Sequence, residues 1–297
     1  MIELSLIPEE TNVLSLFRPK KLVTDEALRA VYDAFVQEFY PSELPLAKEG
    51  IAKLKRESGF DPEVFSEVVV CGDVLRREYW GGIAEGEFTE ENLVAELEKA
   101  RNEKFDLKEY QGHRIYADKR DEFWICFLDA GKLALGFKQM VAGILEVKAG
   151  AAQRIAADIC RSFVSADNEL VKMTIEIPER MRTWIDRKTE RLSEFSLQLP
   201  LDMSQIEVSL ATGVSSLRVR VQARYASEER AQEVVELLEG IRKIAIGMIK
   251  IPEITQLLKR VETGRSDSSA GWSLETPKQE LIQAIKEAKE LLGKIFK

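Results

Sequence analysis

The sequence has few of the residues on which metal centres and nucleophilic active sites depend. Of its 297 residues, one is histidine and three are cysteine. One histidine cannot build a multi-histidine site, and Cys71, Cys126 and Cys160 form neither a CxxC pair nor a Cys/His zinc spacing. Cys71 follows EVVV and Cys126 lies within FWICFL, so both are expected to be small buried apolar residues.

Long apolar runs and clustered positive charge are also missing. No stretch approaches the roughly 18–20 apolar residues that cross a bilayer. The N-terminal MIELSLIPEETN lacks the basic region and apolar run of a signal peptide, so a cytosolic protein and a mature chain with its leader replaced by Met1 both remain open. Because the net charge is −8 and acids are interspersed with bases, no nucleic-acid partner is expected.

Two motifs in the segment YQGHRIYADKRDEFWICFLDAGKLALGF suggest chemistry but have simpler explanations. Strand alternation in GHRIYA places His113 and Ile115 on the same face, which favours a partly covered structural histidine over a general base. DAGK, Asp129 to Lys132, lacks the GxxxxGK[ST] of a phosphate loop. Apolar strand residues flank it, so it predicts a tight hairpin turn in which Gly131 has a positive φ.

Other reactive-looking stretches also fit structural roles. WGG, Trp80 to Gly82, lacks GxGxxG, and its glycines indicate a strand bulge or a close backbone approach. GRSDSSAGWS, residues 264 to 273, lacks GxSxG and predicts a polar turn before a strand. The acid pairs 90/91 and 228/229 stand at helix starts, where they favour the positive helix end. We therefore predict no catalytic residue, no cofactor-binding residue and no metal ligand.

The strongest signal is an internal similarity. GGIAEGEFTEENLVAELEKA, residues 81 to 100, aligns with VRVQARYASEERAQEVVELL, residues 219 to 238. Each is an extended run followed by Thr89 or Ser227, two glutamates and an amphipathic helix, so both hydroxyl residues are predicted N-caps. One helical face stays apolar in both copies, with Leu93, Leu97 and Ala100 matching Ala231, Val235 and Leu238.

Two further helices are predicted, and the helix after Ser227 has a distinct second half. One is predicted to start at Thr24, with a buried stripe of Leu28, Val31, Tyr32, Phe35 and Phe39. The last one is predicted to start at Thr276-Pro277-Lys278-Gln279, with Thr276 as N-cap and a buried face of Leu281, Ile285, Ala288 and Leu292. The helix from Ser227 to Ile249 becomes unusually apolar in IRKIAIGMIKI, which indicates either deeper burial, the favoured interpretation, or a docking surface.

These patterns predict an α+β fold built from two related β-sheet-plus-helix units. Strands separated by short polar turns pair as antiparallel neighbours, and helices are expected on one face of each sheet. The first unit should span residues 1–164 and the second, diverged unit residues 165–297, packed against the first. FWICFL predicts a strand covered on both faces near the centre of the first sheet.

With these segments in order, the chain resembles an uncharacterised group of bacterial lipoprotein-like proteins. The resemblance rests on LIPEETNVL, SGFDPEVFSEVVV, GGIAEGEFTEENL, YQGHRIYADKRDEFWICFLDAGKLALGF followed by ILEVKAG, and ELVKMTIEIPE, and covers nearly the whole chain. It implies an extracytoplasmic module, tethered to a membrane through a lipid anchor in the native precursor. The resemblance carries no functional residue over to this sequence, which lacks the group's signal and lipidation cysteine.

Three functional hypotheses follow. The first is a non-enzymatic binding or scaffold module, extracytoplasmic in its native form, with a protein or an apolar ligand as partner. The second is a carrier for a lipid or another apolar ligand, held between sheet and helices. The third is an enzyme of unknown reaction that uses dispersed carboxylates.

Overall fold

The computed structural model describes residues 4–26, 28–31, 59–156, 159, 163, 169–179, 181–182, 202–249 and 251–295, with helical side chains at 288–295 left out. The chain divides into two compact units, Met1–Ala166 and Asp167–Lys297. Each unit combines an antiparallel sheet with helices. The α+β class predicted from the sequence is therefore confirmed.

The described elements of the first unit include a short 3₁₀ helix at Leu4–Leu6, seven strands and three α-helices with defined bounds. The strands and α-helices are β1 (Val13–Phe17), α1 (Pro19–Thr24), β2 (Phe65–Asp73), β3 (Arg76–Gly86), α2 (Glu90–Arg101), β4 (Asp106–Tyr110), β5 (His113–Ala117), β6 (Phe123–Asp129), β7 (Lys132–Phe137) and α3 (Lys138–Lys148). The strands are hydrogen-bonded in the order β1-β2-β3-β7-β6-β5-β4, and every pair is antiparallel.

Both faces of the first sheet are covered at its centre, where the strands have apolar side chains on both sides, whereas the edge strand β4 is exposed. On one face, α3 packs against a cluster that includes Cys126 of β6, and on the other, α2 packs against a cluster that includes Ile125. The expectation that FWICFL is covered on both faces is confirmed, and β6 is an interior strand. The single helical face expected for each sheet does not hold for this unit.

The second unit has a smaller core. Its described elements are β8 (Glu169–Glu176), β9 (Gln205–Thr212), β10 (Ser216–Arg224), α4 (Glu228–Met248), α5 (Pro252–Arg260), β11 (Glu262–Ser266), β12 (Ser269–Pro277) and α6 (Lys278–Ile295). The strands pair antiparallel in the order β8-β9-β10-β12-β11. The core cluster joins the start of α4 to one side of the sheet through Tyr225, Ala231, Val234, Val235 and Ala270.

The two predicted N-caps of the internal similarity are confirmed. Thr89 Oγ1 accepts a hydrogen bond from the backbone N–H of Asn92 at 3.3 Å, and α2 begins at the next residue, Glu90. Ser227 Oγ accepts from the N–H of Arg230 at 3.2 Å, and α4 begins at Glu228. Each hydroxyl satisfies a backbone donor that the first helical turn leaves free.

The other two predicted helices are present but start later than predicted: Glu26 and residues 28–31 are helical, and α6 begins at Lys278. Thr24 is the last residue of α1 and donates its hydroxyl to the carbonyl of Lys20 at 2.7 Å, whereas Asp25 Oδ1 accepts from the N–H of Leu28 at 2.9 Å. Thr276 belongs to β12, opposite Leu217, because the ladder with β10 continues beyond it before α6 begins.

The predicted buried stripes of these two helices lie partly outside the described residues. Leu28 is buried, while Tyr32, Phe35 and Phe39 are not among the residues that the structure describes. In α6, Leu281 and Ile285 are partly buried, whereas Ala284 and Lys278 are buried. The side chains of Ala288 and Leu292 lie outside the described part.

Candidate functional site

The lone histidine has a structural position. His113 is the first residue of β5, partly covered, and pairs with Tyr110 across the turn that joins β4 to β5. Within the described ranges, no group of three or more His, Cys, Asp or Glu side chains could hold a metal ion. In the part of the chain that the structure describes, His113 therefore does not belong to a metal-ligand group.

Two of the three cysteines are buried thiols, as predicted. Burial raises the pKa of Cys71 to about 12 and that of Cys126 to about 11. Cys71 Sγ lies 3.5 Å from the sulfur of Met140 within the core on the α3 side. A thiol reacts as its thiolate, so neither residue is poised as a nucleophile. Cys160 lies outside the described residues.

The glycine-containing stretches are structural, as predicted. Gly131 has a φ of +70° in the turn between β6 and β7, which confirms the hairpin interpretation of DAGK. In β3, a Cβ on Gly82 would lie 2.1 Å from the carbonyl oxygen of Val69 on the neighbouring strand. The close backbone approach expected for WGG is therefore confirmed.

The segment Gly264 to Ser273 differs from its prediction. Only Asp267 and Ser268 form the turn, with a φ of +49° at Asp267, and the rest of the segment lies in β11 and β12. Its backbone pairs in regular register, with Gly264 opposite Gly271. A polar composition misled the prediction because an exposed strand tolerates Ser and Gly without apolar neighbours.

The most unusual surface of the described chain is the second half of α4. Ile241 is 44% exposed, Ile244 63% and Met248 75%. These side chains follow one another at spacings of three and four residues, so they share one side of the helix. The favoured expectation, deeper burial of IRKIAIGMIKI, is wrong, and the alternative of a docking surface fits the exposure. We call Ile241, Ile244 and Met248 the α4 stripe.

The α4 stripe is exposed because the helix extends beyond the strand that supports it. Arg265 Nε contacts Gln232 at 3.1 Å, and Thr263 Oγ1 contacts Glu239 at 3.3 Å, so β11 runs antiparallel beside α4. Since β11 begins at Glu262, residues of α4 beyond about position 240 pass its end. The buried residues of α4, Ala231, Val234 and Val235, all lie before that point.

The sequence that contains the stripe is rich in positive charge, although the chain as a whole is acidic. Between Ile241 and Arg260 the sequence has five basic residues, Arg242, Lys243, Lys250, Lys259 and Arg260, and one acidic residue, Glu253. Lys243 is paired with Glu239 at 3.6 Å but remains 71% exposed. α5 contributes no buried residue, although Ile254, Leu257 and Leu258 lie on it. Apolar side chains bordered by bases suit an apolar partner with negative charge at its edge.

Sequence reasoning could not choose between burial and exposure at this helix. The apolar spacing of the α4 stripe is the same whether a sheet or an external partner covers it. The charge of the segment from Ile241 to Arg260, five bases against one acid within a chain of net charge −8, was the available signal.

Among the described residues, no helix combines the length and the apolar character needed to cross a membrane.

No family model matches the chain, and no curated protein matches it. It is similar to solved structures of the Treponema protein TP0453. Crystal form III has a TM-score of 0.49 at 10% sequence identity, with 97% of this chain and 98% of that chain covered. Crystal form I has a TM-score of 0.47 at 12% identity, with 97% of each chain covered. Crystal form IV has a TM-score of 0.49 at 10% identity, with 96% of each covered.

Proposed function

We propose that the chain is a non-enzymatic binding module that uses the α4 stripe to bind an anionic lipid surface. The observation that carries the proposal is the exposure of Ile241, Ile244 and Met248 on one side of a helix. In keeping with the sequence resemblance, we further propose that the native protein works outside the cytoplasm and is tethered to a membrane.

The shape and charge of the stripe favour a surface over a small ligand. A helix side is convex, so it can lie on an interface but does not enclose a molecule. In an interfacial helix, apolar side chains enter the boundary between head groups and acyl chains, while basic side chains contact anionic head groups. Lys243, which is 71% exposed beside the stripe, and the exposed Lys259 on α5 supply such bases.

The expected affinity is low and reversible. Complete burial of an isoleucine or methionine contributes roughly 1.5–3 kcal/mol, and these side chains are already partly covered. Each base near an anionic membrane adds about 1 kcal/mol. Such a helix holds a protein at a membrane only together with a second attachment, which agrees with a tethered module.

The proposal is tested by vesicle sedimentation. The full chain should bind vesicles of phosphatidylcholine with phosphatidylglycerol more tightly than vesicles of phosphatidylcholine alone. The double variant Ile244→Ser, Met248→Ser should bind the anionic vesicles at least about tenfold more weakly, because two exposed apolar side chains are lost.

The matched control is Val214→Ser. Val214 is a fully exposed apolar residue between β9 and β10 and does not belong to the α4 stripe. Its variant should bind as the unchanged chain does. If the unchanged chain ignores anionic vesicles, or if the double variant binds them equally well, the proposed function is wrong.

The carboxylate enzyme has less support from the described residues. The acid that is buried there, Asp73, accepts hydrogen bonds from Asn12 at 2.8 Å, from the N–H of Leu75 at 2.9 Å and from Arg76 at 3.0 Å. These contacts hold the ends of β2 and β3 together, and they lower the pKa of the carboxyl against the opposing effect of burial. A carboxylate held by these three donors stabilises the turn between β2 and β3 and is not free to transfer protons.

A further inference from the structure

A polar trough lies on the face of the second sheet opposite α4. Ala270 of β12 faces α4 in the core, so the alternate residues Gly271, Ser273 and Glu275 face the other way. With neighbouring residues of β10 and β11 they line a cavity of about 530 Å³. We call it the Arg220 trough, after the residue beside Ser273 on β10.

Arg220 differs from the other arginines that line the trough. Arg218 is paired with Glu275 at 2.9 Å, Arg260 with Glu280 at 2.9 Å, and Arg265 with Glu228 at 3.4 Å. Each of these three guanidinium groups thus has a carboxylate of the chain as partner. Arg220 is exposed and makes no side-chain hydrogen bond or ion pair with the described residues.

The strand register sets what stands around Arg220. Ser273 lies between Arg220 on β10 and Glu262 on β11, so the two charges face each other across about 10 Å, the width of two strand spacings. Two residues further along β10, Gln222 lies opposite Gly271 of β12, which in turn lies opposite Gly264 of β11. The two glycines have no side chains. Across the trough, the guanidinium of Arg220 therefore lies on one side, the carboxylate of Glu262 on the other, and the hydroxyl of Ser273 between them.

We propose that the Arg220 trough binds a hydroxylated monocarboxylate, the chemical class of the sugar acids. The planar guanidinium of Arg220 can donate two parallel hydrogen bonds to one carboxylate. Ser273 and Gln222 can exchange hydrogen bonds with ligand hydroxyls, and Glu262 can accept from hydroxyls at the far end. Glu262 also opposes a second negative charge, so a monoanion fits better than a dianion.

The test is a titration of the deuterated, ¹⁵N-labelled full chain, followed by amide chemical shifts. D-glucuronate should cause saturable shifts at Gly264, Gly271 and Ser273, with a dissociation constant on the order of 1 mM. D-glucose at the same ionic strength, which lacks the carboxylate, should not. Inorganic phosphate should bind more weakly than glucuronate, because it is largely a dianion at pH 7.5.

Two variants complete the experiment. Arg220→Gln should weaken glucuronate binding at least tenfold while leaving the remaining amide spectrum in place. Arg224→Gln removes an exposed guanidinium from the same strand, outside the trough, and should change the affinity less than twofold. The proposal is overturned if glucuronate gives no saturable shifts, or if glucose or phosphate binds as tightly as glucuronate. It is also overturned if the Arg220→Gln variant binds glucuronate as tightly as the unchanged chain does.

Discussion

Asp121 connects three parts of the first unit through one carboxylate. It lies between β5 and β6 with a φ of +58°, and its Oδ1 accepts from the indole N–H of Trp124 at 2.8 Å. The same carboxylate pairs with Lys108 of β4 at 2.8 Å and with Lys138, the first residue of α3. These contacts, led by the one with Lys108, hold the pKa of Asp121 far below its usual range.

We expect Asp121→Asn to lower the free energy of unfolding by about 1–2 kcal/mol. Asparagine tolerates a positive φ and keeps an acceptor for Trp124. The loss of stability therefore reports the contribution of the two ion pairs with Lys108 and Lys138. Urea unfolding followed by tryptophan fluorescence measures the change. Asp129→Asn, which removes an exposed acid at the end of β6, should change the stability by less than about 0.5 kcal/mol.

The same residue predicts a pH dependence. Its folded-state pKa is depressed, so the stabilisation is fully present above the unfolded pKa of about 3.9 and is lost as the pH falls below it. The difference in unfolding free energy between the unchanged chain and Asp121→Asn should therefore shrink from pH 6 to pH 3. A difference that stays constant over this range would contradict the assigned ion pairs.

The buried thiols allow a second residue-scale prediction. In a Cys160→Ser variant, Cys71 and Cys126 should not react with Ellman's reagent at pH 8 within the time in which a free thiol reacts completely. Burial raises the pKa of Cys71 to about 12, well above the pH of the assay, and the core also excludes the reagent. Two thiols should react after unfolding in guanidinium chloride, and rapid reaction of the folded chain would refute the burial.

At the scale of elements, one substitution should have opposite effects at two threonines. Thr89→Val removes the N-cap of α2 and should destabilise the chain by about 1 kcal/mol. Thr276→Val replaces a buried hydroxyl that has no hydrogen-bond partner among the described residues, so the stability should stay constant or rise by up to about 1 kcal/mol. Differential scanning calorimetry of both variants measures the sign of each change in stability. Equal losses would mean that Thr276 is a cap after all.

These two threonines also show which elements the sequence could predict. Thr89 caps a helix through a hydrogen bond to a residue three positions away, so local sequence holds the information. Thr276 and Pro277 have the local pattern of a helix start, but they pair with Leu217 and Ser216 of β10. That pairing joins residues about 60 positions apart, and no local pattern reports it. The same limit applies to the α4 stripe, whose exposure depends on where β11 begins.

On the scale of the molecule, the two units differ in the depth of their cores. The first has a core on each face of its sheet, containing Ile83 and Ile144 on one side and Phe65 and Leu133 on the other. The described core of the second unit is a single small cluster. That the units arose by duplication stays a prediction, for which the matching strand and N-capped helix at Thr89 and Ser227 remain the clearest sign.

This difference in depth predicts unequal resistance to opening. Native-state hydrogen exchange should find the slowest amides in β3, β6 and β7, which lie between two cores, and faster exchange throughout β9 to β12. Leu133→Ala leaves a cavity in β7 and should cost about 2–4 kcal/mol, because this side chain is fully buried.

The variant shows whether each unit opens by itself. If the two compact units are separate cooperative units, Leu133→Ala should accelerate exchange in β2 to β7 and leave the amides of β9 to β12 unchanged. Equal acceleration in both sets would mean that the chain opens as one body. Slower exchange in the second unit than in the first would contradict the ranking of the cores, because burial of apolar surface is the main stabilising contribution in both.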